Sequence, residues 1–131
     1  RNAEELCRQI SHNGRPLIEE PNAQVRLART AANLMVSDML TFRAQWASAE
    51  KKPNFAYGPM AKMFSSEKFQ SDARDLLDLT APWSLADRDG PAGALNMAYR
   101  HSQGTTIYGG TSEVHRSMIA ERGLNLPRTR A

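Results

Sequence analysis

The sequence predicts an all-α fold, a bundle with its longest helices antiparallel, on three observations. Val25, Ala28, Ala32, Met35, Met39, Phe42 and Trp46 recur at spacings of three and four without a miss, which sets them on one stripe of a helix. Apolar and polar residues alternate as a strand requires only in "TTIY", Thr105 to Tyr108, which is too short to build a sheet. Proline and glycine gather in the breaks "GRPLIEEP", "EKKPN" and "TAPWSLADRDGPAG", leaving long stretches between them. At 131 residues the chain reads as one domain, residues 1–131, large enough to bury a core without disulfides.

In chain order, "RNAEELCRQISHNG" reads as the tail of a helix that stops at Asn13-Gly14, a usual C-terminal signal. Its start is expected before Arg1, as in a processed, trimmed or partial chain. Pro16 and Pro21 make the next stretch a connector, since neither can donate to a helix interior. The long stripe follows, with Met35, Met39, Phe42 and Trp46 expected to be buried together; Leu27, Ala31 and Leu34 widen it toward a second neighbour. A further helix is predicted from Ala56 to Leu79, joined antiparallel to the first near Lys51–Asn54. Its early apolar residues (Met60, Met63, Phe64) and later ones (Phe69, Ala73, Leu76, Leu77) turn to different sides, as in a helix central to a bundle. Short helices are expected over Ala92–Ser102 and from Thr111 to Arg122.

Composition narrows the function classes. With 40% hydrophobic and 24% charged residues the chain is a folded, soluble protein, and no apolar run reaches the ~18 residues of a membrane span. The net charge of +3 is dispersed, with no basic run interleaved with aromatics, so nucleic acid is not the expected partner. The single cysteine, Cys7, excludes an internal disulfide and fits a reducing, cytoplasmic compartment.

Self-contained catalysis finds little support. His12, His101 and His115 fall in different elements, show no metal-ligand spacing and read as lone surface residues. Ser112 and His115 form an i,i+3 pair without an orienting acid, which argues against a nucleophilic triad. Asp75 with Asp78, and Glu19 with Glu20, read as solvated charges. "DRDG", Asp87 to Gly90, opens like a calcium loop but lacks the later acidic ligands and reads as a turn, so no metal is expected.

The junction Gly109-Gly110-Thr111 stands apart. Glycines without Cβ let a ligand approach the backbone, Thr111 is placed to cap the last helix, and Glu113 favours its positive end. The free N–H groups there can take an anion or a polar ring edge.

"TTIYGGTSEVHRSMIAERGLNLPR" resembles the C-terminal signature of the acyl-CoA dehydrogenases, roughly "Y-[E/G/A]-G-T-S-[E/Q]-[I/V]-x-R-x-x-I-A-x-R-x-L-G-L-P". "AKMFSSEKF" is similar to the family's "AK-x-x-x-S-E". The resemblance implies the C-terminal four-helix domain of an FAD-dependent flavoprotein whose other domains are not in this chain. It implies α,β-dehydrogenation of an acyl-CoA thioester, with Gly109 and Gly110 lining the substrate and Thr111, Ser112 and Glu113 contacting FAD. It also implies an electron-transfer partner and a homo- or hetero-oligomer, dimer or tetramer. The segment alone is expected to be inactive and not to retain FAD.

Three departures qualify that expectation. Many members carry the catalytic glutamate where this chain has Gly109, so no catalytic residue is assigned and the base is expected upstream of Arg1; Glu4 and Glu5 lie on the remnant of that helix, too near its end to assign. The family's "R-x-x-F-G-x-P-L" connector is here "ISHNGRPL", without the Arg or the Phe, leaving Arg8 and Arg15 as candidate substitutes. "LTAPWSL" stands where many members have a Gln-x-x-Gly-Gly turn. These losses support an alternative, a non-catalytic helical assembly subunit of a mixed oligomer with a degenerate flavin site.

Overall fold

A computed structural model describes residues 1–52, 54–86 and 89–128. Helix α1 spans Asn2–Gln9; strands β1 (Ser11–His12) and β2 (Arg15–Pro16) and a 3-10 turn (Leu17–Glu19) lead into α2, Pro21–Ala49. Then come α3 (Tyr57–Leu79), the single turn α4 (Trp83–Ala86), α5 (Gly90–Thr105) and α6 (Ser112–Gly123). The class is all-α, and the predicted helices stand where the periodicity placed them.

Pro21 opens α2 at a position where a missing N–H costs nothing. Side-chain pairs fix the direction of α3 against it. Arg26 and Arg29 reach Asp75, Asn33 reaches Asp72, and Arg43 reaches Tyr57, so one helix number rises as the other falls. The two longest helices are therefore antiparallel, as expected. Helix α3 also packs against α5 and α6, which makes it the central element that its two apolar faces foretold. The last carbonyls of α3 are taken up locally: Thr80 Oγ1 donates to Leu76 O and Ser84 Oγ to Leu77 O, each at 2.8 Å. Asn96 Nδ2 donates to Ser84 O at 3.1 Å and so holds α4 against α5. The core gathers at this end, where Leu6, Cys7, Ile10, Leu17, Leu76, Leu77 and Leu95 meet.

Three expectations change, and one falls partly outside the described residues. The stripe on α2 is not in the core: Met35, Met39 and Phe42 are 67–70% exposed, and Trp46 is 49% exposed. At about 100° per residue, Arg26 and Asn33 lie on roughly the opposite side of α2, and it is they that face α3. Ion pairs and hydrogen bonds at that seam hold the two helices together and turn the apolar stripe outward. Asn13-Gly14 does not end a helix but turns a small hairpin, with Ser11 opposite Pro16 and His12 opposite Arg15. Both turn residues have positive φ, 53° and 78°, the backbone of a two-residue hairpin turn that Asn-Gly favours. The reading of "DRDG" falls partly on Asp87 and Arg88, which lie outside the described residues; Asp89 is the extended residue preceding α5.

The third change is Asp75, which is not a free solvated charge. Arg26 and Arg29 each approach it at 2.8 Å. Partial burial works to raise its carboxyl, but hydrogen bonds and charge from the two guanidiniums prevail and hold it below the ordinary 3.8. Such a group contributes stability that is complete above the ordinary pKa and is lost as pH falls through the lowered one. Asp75→Asn should therefore destabilise the chain at neutral pH, by about 1 kcal/mol for partly solvated pairs. In thermal melts the difference from the parent should begin to shrink as pH falls below 3.8 and vanish only once pH has passed below the lowered pKa of Asp75. A constant difference from neutral to strongly acid pH would show that the ion pairs are not its source. Among the described residues no helix is long and apolar enough to cross a membrane.

Candidate functional site

The turn between α5 and α6 is built on two glycines with left-handed backbone, Gly109 at φ 68° and Gly110 at φ 100°. Its carbonyls are held from two directions. Lys62, on α3, donates from Nζ to Thr105 O at 2.8 Å and to Gly110 O at 2.7 Å. His115, on α6, stands 3.1 Å through Nε2 from Gly109 O. A carbonyl only accepts, so Nε2 carries the proton. A Cβ at Gly110 would lie 2.9 Å from that same nitrogen, which is the close approach that requires glycine here. At Gly109 the nearest neighbour of a built Cβ is Lys62 Cε at 3.9 Å, so that position opens outward.

Helix α6 begins as its sequence predicts. Thr111 is the N-cap, and its Oγ1 accepts from the Val114 N–H at 3.3 Å. The Glu113 carboxyl is held low, first by a hydrogen bond to its own backbone N–H, then by Thr111, with Arg116 adding charge. Thr111, Ser112 and Glu113 share a polar cleft of about 460 Å³ with Thr106, Glu67 and Arg116. Glu67 and Arg116 form an ion pair across it, from α3 to α6. Gly109 and Gly110 are not in the lining of that cleft but form the turn immediately before it. Two polar atoms at the site, Ser112 Oγ and His115 Nδ1, are buried without a hydrogen-bond partner.

Two residues at this site escaped the sequence reading. His115 is 8% exposed and not a surface histidine, because the missing Cβ of Gly110 leaves the space its ring fills. Glycine-glycine, its second residue five positions before a histidine in the following helix, was the available signal. Lys62 lay within "AKMFSSEKF", but a contact across 48 residues has no local periodicity to reveal it. The other two histidines are exposed: His12 contacts Glu20, and His101 contacts the Tyr108 hydroxyl at 3.1 Å. The side chains of Ser112 and His115 do not hydrogen-bond to each other: the Ser112 hydroxyl has no partner, and His115 Nε2 is engaged with Gly109 O.

Comparison with known proteins shows the family. A family profile described as "Acyl-CoA dehydrogenase, C-terminal domain" matches residues 1–124. The mitochondrial short-chain specific acyl-CoA dehydrogenase of Rattus norvegicus is 33% identical over 107 residues, 82% of this chain and 25% of the rat protein. Benzylmalonyl-CoA dehydrogenase of Aromatoleum aromaticum is 30% identical over 108 residues, 82% of this chain and 28% of that protein. The crystal structure of the ChsE4-ChsE5 complex from Mycobacterium tuberculosis superposes with a TM-score of 0.83 at 26% identity, covering 98% of this chain and 34% of that one. The chain thus spans about a quarter of the length of these curated relatives. With the glycine turn and capped last helix lying inside the matched segment, the chain belongs to the acyl-CoA dehydrogenase family and forms its C-terminal helical domain.

Proposed function

We propose that this domain serves an FAD-dependent acyl-CoA dehydrogenase, presenting Gly109 and Gly110 to the acyl thioester and Thr111, Ser112 and Glu113 to the flavin. The observation that carries the reading is the clamped turn: Lys62 and His115 fix both glycine carbonyls while Gly109 opens outward. The residues fit a polar ring system. The N-terminus of α6 offers backbone donors beside a polar cleft, and the Ser112 hydroxyl is buried without a protein partner. FAD, when bound, supplies the two-electron acceptor for the reaction.

In α,β-dehydrogenation the substrate's α-carbon gives a proton to a carboxylate and its β-carbon gives up a hydride, leaving a double bond. Gly109 cannot take the proton, so we assign the base to a segment preceding Arg1 and give this chain the work of positioning. Rigid carbonyls at the turn keep the thioester edge dry and in register, and the absent side chain at residue 109 leaves it room. An electron-transfer partner then reoxidises the enzyme, which works as an oligomer.

In the full-length protein, Gly109→Val should weaken acyl-CoA binding, by ~1–3 kcal/mol of overpacking or roughly tenfold to a hundredfold, without loss of helix content. Gly109→Glu restores the carboxylate position of other members; with the upstream glutamate removed, it should recover part of the turnover. Binding and turnover untouched by Gly109→Val would remove that residue from the substrate pocket. The glycine at 109 and the altered connector favour one second reading, a non-catalytic partner in a mixed oligomer. Visible flavin absorbance separates the two: the first requires a yellow protein when purified by itself, the second a colourless one.

A further inference from the structure

Lys62 carries a charge that the fold does not neutralise. Its ammonium has three donors, and two of them go to uncharged carbonyls, Thr105 O and Gly110 O. No carboxylate among the described residues comes within ion-pair distance of it. The acids that follow on α3 are engaged elsewhere. Glu67 pairs with Arg116 at 2.5 Å, and Asp72 faces Asn33 through both oxygens, about 15 Å further along the helix. Half-buried itself, Lys62 lines an apolar cavity of about 470 Å³ with Leu34, Phe69, Leu95 and Ala98. A cation against such walls is costly unless an anion comes to it.

Position decides what that anion is. Lys62 Cε lies 3.9 Å from the Cβ that a side chain at residue 109 would carry. A base that takes the α-proton of a thioester seated at residue 109 must bring its carboxylate to the same spot. An apolar groove leads there from the start of α1, because the cavity shares Thr30, Leu34 and Leu76 with a second one beside Arg1 and Glu4. We propose that Lys62 is the charge partner of the proton-accepting carboxylate, a positioning residue whose third N–H holds that group ionised beside Gly109. The proposal rests on the dehydrogenase reading above. In the step itself the substrate's α C–H bond breaks and its proton goes to a carboxylate oxygen. The electron pair enters the new double bond as the β-hydrogen leaves as hydride to the two-electron acceptor. Only an ionised carboxylate can take that proton, and a cation ~4–6 Å away favours the ionised form. No other charged group about the turn is placed to do this. His115 directs its N–H at Gly109 O, and His101 on α5 contacts the Tyr108 hydroxyl. Arg116 is held by Glu67, with Glu113 at 3.9 Å, and Lys68 leans over the Phe64 ring.

The pH dependence of kcat/KM in the full-length, flavin-saturated enzyme tests it, since the acid limb reports the ionisation of the base. Removing the cation should raise that apparent pKa by about one unit or more. Lys62→Met and Lys62→Gln should therefore lose about tenfold against the parent at acid pH, beyond a constant ratio that remains at alkaline pH. Lys62→Arg, which keeps the charge, should keep the parent's pKa. The glutamine is the second neutral variant because its amide still donates to a turn carbonyl; circular dichroism checks that each variant keeps its helices. A structural tie alone would lower kcat/KM by one factor at every pH, and an acid limb unmoved in a folded neutral variant would overturn the proposal. So would an equal shift in Lys62→Arg. Gly109→Glu with the upstream glutamate removed tells the two readings apart. No turnover there at any pH, with Lys62 intact, would sink the dehydrogenase site and this proposal with it. Turnover whose acid limb ignores a further Lys62→Gln would sink the role of Lys62 alone.

Discussion

Gly110→Ala should be the most damaging single methyl group that can be added to the glycine turn. Two costs fall on the same atom. The backbone at φ 100° lies where side chains are rarely found, which costs ~1–3 kcal/mol. The new Cβ would also sit 2.9 Å from Nε2 of His115, and overpacking of that kind costs ~1–3 kcal/mol. The ring cannot simply withdraw, because it is buried and its Nε2 holds Gly109 O. Together the two amount to roughly 2–6 kcal/mol, concentrated on the turn and the first turn of α6. Urea melts would measure the loss, and hydrogen exchange at the amides of Ser112 to His115 would locate it. A double variant, Gly110→Ala/His115→Ala, separates the causes, since it relieves the clash and leaves the φ strain. An unchanged melting curve for Gly110→Ala would mean that the turn does not hold this backbone in solution.

Lys62→Met should produce the second large effect. The methionine keeps the length of the stem and removes the ammonium that bridges Thr105 O and Gly110 O at 2.8 and 2.7 Å. Hydrogen bonds from a charged donor contribute ~1.5–3 kcal/mol each, and two partly buried carbonyls would lose theirs at once. A loss of roughly 3 kcal/mol is expected, less if water reaches the carbonyls. The helices themselves should survive, because α2, α3 and α5 are joined by contacts elsewhere. What should change is the end of α5 relative to α6. Flavin binding by the full-length protein should therefore weaken more than thermal stability does, and Lys62→Arg should recover part of it. Equal flavin affinity in Lys62→Met and parent would leave the clamp as a structural tie without a role at the site.

The sequence by itself determined the helical class, the order of the elements and the residues that cap the last one. Those features are local. Thr111 caps α6 because its hydroxyl reaches an N–H three residues on, and Pro21 opens α2 because it has no N–H to lose. The glycine turn was legible for the same reason, since only glycine adopts those φ values at little cost. Periodicity likewise identified a helix at 21–49 with one apolar stripe, but it could not say what covers that stripe. An apolar face has the same spacing whether its neighbour belongs to its own chain or to another. The choice lay with Arg26, Arg29 and Asn33, whose partners Asp72 and Asp75 are about forty residues away in sequence and adjacent only in the fold. The same separation hid Lys62 from the turn it holds, and burial turned His115 from an ordinary surface residue into the group that fills the space left by Gly110. Local chemistry set the elements, and only tertiary packing decided which faces they show to each other and which they leave open.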